Sequence, residues 1–334
     1  MVAENQPRDY NVGVDQSRRL TQMNTDLKHG FICVHLRLSA ALSLLLAGAT
    51  PLVMAKSYEN VEYSRAAGKS LQFDASVPDG PGLFPAAIIV HGGAWVIGDR
   101  KRSVQPLFEP LSNAGFAWFS ISYRLANGLD LSSVQGAVAS ATMLGTAIDD
   151  VRAAVAYVRA HAREYHVDPN RIALIGESAG AQLALMAALK PGDSGAVEAV
   201  VALYSPSDLA RLILTTNRIP DSVRQAFRGT PLEAMLLANL REQSPVTWVH
   251  KDAPPVLLIH GTADQLVPFE QSQEMCAALK NAGAECELYA VESGGHGLRW
   301  WESNPSLTGY KAKMTNWLRE KLAQTSLTDK PVSR

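Results

Sequence analysis

The sequence predicts an α/β protein built on one doubly wound, mostly parallel β-sheet with a small helical cap. Two observations carry this prediction. Continuous apolar runs, which are typical of strands buried on both faces, recur along the chain. Segments with helical periodicity lie between them, and this alternation over about 280 residues favours one domain rather than two.

The predicted elements follow one another in a regular order. Two loosely alternating segments, 59–65 and 70–77, open the sheet. Buried strands are then predicted at 86–91, 116–123, 172–175, 199–204, 256–260 and 287–291. Helices are predicted at 146–163, 179–188, 268–282 and 311–323. Gly283 is a residue typical of the position just after a helix C-terminus.

Two segments interrupt this order. Residues 127–145 form an insertion rich in small residues after a strand. Residues 205–250 are too long for a simple connection and carry scattered apolar residues, so we predict a small helical cap over the site there. The alternative is an additional excursion that packs on the core.

The N-terminus has the pattern of a secretory signal peptide. An apolar run at 38–49 follows basic residues and precedes small residues at 53–55. We therefore expect a leader over residues 1–55, with Met23 as a second candidate start, and a folded domain over 56–334. Such a protein would be secreted or periplasmic, without stable membrane association after leader cleavage. The alternative is an uncleaved N-terminal membrane anchor, although a membrane span usually needs about 20 apolar residues.

Composition excludes several classes of function. The formal net charge is −1 and no basic stripe is present, so no nucleic-acid partner is predicted. No metal-ligand spacing and no glycine-rich phosphate loop occur, so neither a metal nor a cofactor is predicted. Cys276 and Cys286 remain after the leader, and one disulfide or two separate buried thiols are both open.

Ser178 is the candidate nucleophile. It lies in Gly176-Glu-Ser-Ala-Gly180, between a predicted strand and a predicted helix, which is the placement of a nucleophile elbow. A tight turn there raises the serine Oγ above the sheet edge. It also points the helix N-terminus at the negative charge that develops during acyl transfer.

A serine hydroxyl needs a base, and the base needs an orienting acid. In this topology the order along the chain is Ser, then Asp or Glu, then His. His296, in Gly-Gly-His-Gly, is the histidine after Ser178 that leaves room for an acid and a strand between them. Asp264 is the predicted acid because it follows the strand at 256–259, and Asp208 and Asp252 are the alternatives.

The segment His91-Gly-Gly-Ala-Trp95 follows a buried strand and matches the oxyanion loop of lipases and esterases. We expect the N–H groups of Gly93, Ala94 and Ala179 to form the oxyanion hole. The alternative for the loop is an ordinary tight turn.

Several other residues have predicted roles near the site. Glu177 is expected to be buried and hydrogen-bonded, and Arg124 and Asp150 are expected to form an ion pair. Three tryptophans are candidate substrate-binding residues, because an indole can stack on a sugar or an aryl group; they are Trp95, Trp300 and Trp301. Simple packing is the alternative for each of them.

Taken in order, these motifs resemble the α/β-hydrolase superfamily, and within it the esterase and lipase group with an HGG-type oxyanion loop. The resemblance covers about residues 60–322. Its motifs lie at 91–95, 123–126, 168–171, 176–180, 244–245, 260–268 and 294–297. Three departures from the hormone-sensitive-lipase-like branch make the chain more similar to kynurenine-formamidase-like enzymes and to feruloyl or acetyl-xylan esterases. They are Ala94, Asn127 and the extra segment 127–145.

The motifs and the resemblance together imply a carboxylesterase-type serine hydrolase that acts through an acyl-enzyme. The expected substrates are small or medium esters, including acetyl or feruloyl groups on carbohydrate. A formamidase-like amidase or a peptidase with the same triad is the first alternative. A non-catalytic binding module of the same fold is the second, and the three filled triad positions argue against it.

Overall fold

A twisted eight-stranded sheet is the centre of the computed structural model, which describes residues 55–126, 134–192, 196–215, 225 and 228–323. The strand order is β1-β2-β4-β3-β5-β6-β7-β8. The β1–β2 and β2–β4 pairs are antiparallel, and the remaining neighbours are parallel. The strands are β1 Ala55–Ala66, β2 Lys69–Pro78, β3 Phe84–Val90, β4 Ala117–Ile121, β5 Val167–Glu177, β6 Ala199–Leu203, β7 Val256–Gly261 and β8 Cys286–Val291.

Helices connect the parallel strands. Those described are α1 Phe108–Asn113, α2 Val134–Ala160, α3 Ala179–Leu189, α4 Leu209–Thr215, α5 Pro231–Glu242, α6 Glu270–Asn281, α7 Leu298–Glu302 and α8 Tyr310–Lys321. The predicted doubly wound, mostly parallel α/β sheet is therefore confirmed.

Both faces of the central strands are buried, which explains their uninterrupted apolar sequences. In β3 the side chains of Ile88 and Val90 belong to a cluster that includes residues of α2 and α3. Ile89, between them, belongs to a second cluster on the opposite face, with α1 and α8. Alternation along the strand thus supplies two cores at once, one on each face of the sheet.

The helix before β5 begins earlier than predicted. Its apolar stripe predicted residues 146–163, whereas α2 spans Val134–Ala160. Much of the predicted insertion at 127–145 is therefore helix, and residues 127–133 lie outside the described part. The small residues of this segment have no strong apolar face, so periodicity did not reveal the first turns.

The predicted cap region contains α4 and α5. Leu209, Ala210 and Leu240 of these helices are buried together with Leu144 of α2. Residues 216–224, 226 and 227, including Phe227, lie outside the described part. The cap function of 205–250 stays a prediction.

Cys276 of α6 and Cys286 of β8 form a disulfide, with their Cα atoms 5.5 Å apart. The bond closes the connection between a helix and the last strand, and such bonds are typical of proteins that fold in oxidising compartments. Residues 1–54 of the predicted leader lie outside the described part, and Ala55, its last residue, begins β1, so export stays a prediction. Within the described ranges, no helix combines the length and apolarity needed to cross a bilayer.

Candidate active site

Ser178 occupies a strained turn between β5 and α3. Its φ is +53° and its ψ is −120°, a conformation that non-glycine residues rarely adopt. A Cβ on Gly180 would lie 2.2 Å from the carbonyl oxygen of Val90, so only glycine lets the helix approach β3 this closely. The flanking glycine therefore sets the position of Ser178 at the carboxyl edge of the sheet.

A continuous hydrogen-bond chain links the predicted triad residues. The Ser178 Oγ lies 2.9 Å from Nε2 of His296, and Nδ1 of His296 lies 2.7 Å from Oδ2 of Asp264. Asp264 cannot donate when ionised, so Nδ1 carries the proton and Nε2 is free to accept one from Ser178. The structure therefore brings together three side chains that are distant in sequence.

Several donors surround the Asp264 carboxylate. Its Oδ1 accepts the N–H groups of Leu266 and Val267 at 2.8 and 2.9 Å. Burial alone would raise the pKa of Asp264. Hydrogen bonds from His260 and His296 outweigh that effect and lower the pKa below its ordinary value. The carboxylate therefore stays ionised throughout the neutral range.

The two alternative acids are engaged elsewhere. Oδ1 of Asp208 accepts the N–H of Arg211 in the first turn of α4. Asp252 is exposed and pairs with its neighbour Lys251 at 2.7 Å. Of the three candidates, Asp264 is the one hydrogen-bonded to the His296 ring.

The loop after β3 contains two of the residues predicted to form the oxyanion hole, Gly93 and Ala94. Gly93 has a φ of +114°, and a Cβ there would lie 2.1 Å from the carbonyl oxygen of Ile97. Across the described residues, no acceptor is found for the N–H groups of Gly93 and Ala94. Ala179 is the first residue of α3, where N–H groups have no partner within the helix. These are the properties required of oxyanion donors, and their catalytic role stays a prediction.

Glu177 and Tyr204 form a buried bridge that connects the three loops of the site. Oε1 of Glu177 accepts the N–H of Gly92 at 2.6 Å, and Oε2 accepts the Tyr204 hydroxyl at 3.0 Å. That hydroxyl in turn accepts the N–H of Leu298, just after the His296 loop. Burial raises the pKa of Glu177 and that of Tyr204. The predicted burial and hydrogen bonding of Glu177 are confirmed.

Sequence reasoning missed Tyr204. Its ring forms an edge-to-face pair with the ring of His296, with 4.7 Å between centroids. Tyr204 directly follows β6 and has a φ of +40°. A large polar residue at the carboxyl end of a buried strand was the signal that could have identified it.

The predicted Arg124–Asp150 ion pair is also present. The guanidinium of Arg124 donates to both carboxylate oxygens of Asp150, at 2.7 Å for the shortest contact. The pair therefore joins the segment after β4 to α2.

The three tryptophans differ in their surroundings. Trp301 is fully buried, its Nε1 donates to the carbonyl of Gly295, and its ring contacts Tyr204. The prediction that Trp301 binds substrate is therefore wrong, because no face of its indole is accessible. Trp95 is half-buried, and its Nε1 donates to Oε1 of Gln182 at 2.9 Å.

Trp300, by contrast, is 60% exposed. Its Nε1 lies 3.4 Å from the point where a Cβ on Gly295 would be, so the indole lies over the residue next to His296. A residue that contacts substrate is expected to present an exposed aromatic ring at the edge of the site, as Trp300 does.

Among the described residues, no cluster of His, Cys, Asp and Glu side chains could hold a metal ion.

The chain is similar in sequence to a known protein family and to several curated proteins. The BD-FAE family matches residues 76–279. The probable carboxylic ester hydrolase LipM of Mycobacterium tuberculosis is 31% identical over 221 residues, which are 63% of this chain and 48% of that protein. A probable isoprenylcysteine alpha-carbonyl methylesterase of Oryza sativa subsp. japonica is 28% identical, over 67% of this chain and 54% of that protein. The chain thus spans about half the length of the curated relatives it matches.

Two solved structures have a similar fold. A truncated carbohydrate esterase from gut microbiota superimposes with a TM-score of 0.61 at 28% identity, covering 80% of this chain and 97% of that one. A thermophilic esterase from Thermogutta terrifontis superimposes with a TM-score of 0.63 at 22% identity, covering 84% and 96%. The second likeness concerns the fold alone.

Proposed function

The chain belongs to the BD-FAE family of the α/β-hydrolase esterases and lipases, and from that premise we propose that it is a serine carboxylesterase acting through an acyl-enzyme. One observation carries the proposal. The Ser178 hydroxyl, the His296 ring and the Asp264 carboxylate form an unbroken hydrogen-bond chain at the carboxyl edge of the sheet. The relatives named as ester hydrolases support the choice of an ester as substrate.

Acylation begins with attack of the Ser178 Oγ on the ester carbonyl carbon. Nε2 of His296 takes the hydroxyl proton as the C–O bond forms. Negative charge then develops on the carbonyl oxygen, where the N–H groups of Gly93, Ala94 and Ala179 bind it. His296 returns the proton to the alcohol oxygen as the bond to the acyl group breaks, and the acyl-enzyme remains.

Deacylation repeats these steps with water as the nucleophile. His296 takes a proton from water, the hydroxide attacks the acyl carbon, and the proton then passes to the Ser178 oxygen as the acid leaves. Asp264 stays ionised throughout and stabilises the imidazolium that forms twice in each cycle. The lowered pKa of Asp264 supports this role, because the carboxylate then stays charged even when pH falls well below neutral.

The substrates we propose are small or medium esters, including acetyl or feruloyl groups on carbohydrate. The likeness to a carbohydrate esterase at 28% identity supports this class. The test compares hydrolysis of p-nitrophenyl esters, acetylated xylan and methyl ferulate with that of matched anilides, alongside labelling by a fluorophosphonate probe. Labelling and ester turnover are expected. Preferred anilide hydrolysis would indicate an amidase, and absence of both signals would indicate a binding module.

Trp300 is expected to contact the alcohol part of the ester. The leaving alcohol takes its proton from His296, so it must lie on the His296 side of the site, where the Trp300 indole is exposed. Trp300→Ala should lower kcat/KM for p-nitrophenyl acetate and acetylated xylose by about three- to tenfold, the usual contribution of one aromatic contact.

Ethyl acetate is the matched control, because it has the same acyl group and a small alcohol. Its kcat/KM should not change in Trp300→Ala, and neither should the deacylation rate, since all three esters give the same acetyl-enzyme. An equal loss for ethyl acetate would show that the indole supports the loop instead of binding the alcohol.

A further inference from the structure

His260 is a buried histidine that the proposed reaction does not use. It lies in β7, its side chain has no exposed surface, and both ring nitrogens have partners. Nε2 lies 2.9 Å from the carbonyl oxygen of Val267 and 3.4 Å from Oδ2 of Asp264. Nδ1 lies 2.6 Å from the hydroxyl oxygen of Ser272 in α6.

These contacts determine where the proton is. A carbonyl oxygen can only accept a hydrogen bond, so Nε2 of His260 must carry a hydrogen directed at Val267 and Asp264. The Ser272 hydroxyl, 2.6 Å from Nδ1, can donate to that nitrogen and so complete the pattern of hydrogen bonds around the ring. Phe269, whose ring edge faces the imidazole, is uncharged. Asp264 is the one charged group among these contacts of His260.

Asp264 therefore lies between two histidines. His296 binds Oδ2 from the open side of the site, and His260 approaches the same oxygen from the core. The carboxylate cannot turn toward the core without meeting the His260 ring, while the N–H groups of Leu266 and Val267 hold its other oxygen. The ring of Tyr204 also packs against His296. The hydroxyl of Tyr204 donates to the buried Glu177.

We propose that His260 is a positioning residue for the triad: its Nε2–H fixes the Asp264 carboxylate toward His296 and draws charge away from the shared oxygen. The inference rests on the proposed function, since it assigns His260 a role in that same reaction. A donor on the far side of Oδ2 reduces how strongly Asp264 stabilises imidazolium on His296. Removing that donor should therefore strengthen the interaction of Asp264 with an imidazolium at His296.

The experiment compares the kcat/KM–pH profiles of His260→Leu, His260→Gln and the wild-type protein with p-nitrophenyl acetate. In His260→Leu the donor is lost, so the acid limb should move upward by about 0.5–1 pH unit and kcat should fall by about tenfold. In His260→Gln an amide N–H reaches the same region, so the acid limb should return close to the wild-type position.

Leu279→Ala is the structural control. Leu279 is fully buried in α6, the helix that carries Ser272, and its truncation loosens the same region without removing a donor to Asp264. Its melting temperature should fall while its acid limb stays in place. An acid limb that does not move in His260→Leu would overturn the proposal. So would an acid limb that moves as far in Leu279→Ala or in His260→Gln as it does in His260→Leu.

A second measurement does not depend on turnover. In Ser178→Ala protein labelled with ¹⁵N-histidine, NMR should show a slowly exchanging proton on Nε2 of His260. A ring that carries its proton on Nδ1 alone would overturn the proposal even if His260→Leu does not fold. Failure of the wild-type protein to hydrolyse any ester would instead refute the proposed function, so the two failures are distinguishable.

Discussion

Replacing Ser178 with alanine should lower kcat for p-nitrophenyl acetate by about 10⁴-fold or more, since the nucleophile of the acyl-enzyme is lost. The residual rate would come from binding and from the oxyanion donors alone. Labelling by a fluorophosphonate probe should also disappear. The variant should keep its fold and its melting temperature, because alanine meets the same backbone strain and leaves no cavity.

Ser205→Ala is the matched control for this experiment. Ser205 is also buried at the carboxyl edge of the sheet, and its Oγ has no hydrogen-bond partner among the described residues. Its replacement should leave turnover unchanged and stability equal or slightly higher, because an unsatisfied buried hydroxyl is removed. Turnover within tenfold of wild type in Ser178→Ala would mean that another residue is the nucleophile.

The sheet was predictable because its central strands are buried on both faces. Strands such as β3 and β6 are fully buried along most of their length, so their sequences are unbroken apolar runs, and the turn residues around them favour strands. Helix α2 was harder to delimit. Its first turns consist of small residues without a strong apolar face, so periodicity did not predict a helix there.

The grouping of Ser178, Asp264 and His296 was predictable from their order along the chain, whereas the surroundings of these side chains were not. Chain order and strand ends single out Asp264 and His296, but nothing in the sequence indicates that His260 contacts the same carboxylate across a turn.

The surroundings of the tryptophans were equally hard to predict. Trp300 and Trp301 are neighbours of identical chemistry, yet one indole is exposed and the other is enclosed by Tyr204 and Tyr310. Only tertiary packing separates them.

Asp264→Asn should lower kcat/KM by about 10⁴-fold, and the geometry gives the reason. The N–H groups of Leu266 and Val267 require an acceptor at the Oδ1 position, so the asparagine carbonyl must occupy it. The amide NH₂ then faces Nδ1 of His296, where Oδ2 was. Two donors cannot meet, so Nδ1 becomes the acceptor and the ring proton moves to Nε2. That nitrogen can no longer accept the Ser178 proton.

The same substitution should alter the dependence of stability on pH. The pKa of Asp264 is lower in the folded protein than in the unfolded chain, so its contribution to folding is complete above about pH 4 and is lost as pH falls toward the lowered pKa. Asp264→Asn lacks this contribution, and its free energy of unfolding should therefore decline less between about pH 4 and pH 2. Urea unfolding at a series of pH values measures the difference.

Asp208→Asn is the control that separates this role from a general effect of a lost carboxylate. Asparagine can still accept the N–H of Arg211 at the start of α4, so activity and stability should stay close to wild type. If Asp208→Asn lost activity while Asp264→Asn kept it, the orienting acid would be Asp208. The hydrogen bond of 2.7 Å between His296 and Asp264 would then be structural. Because that bond decides which tautomer His296 adopts, we expect the opposite result.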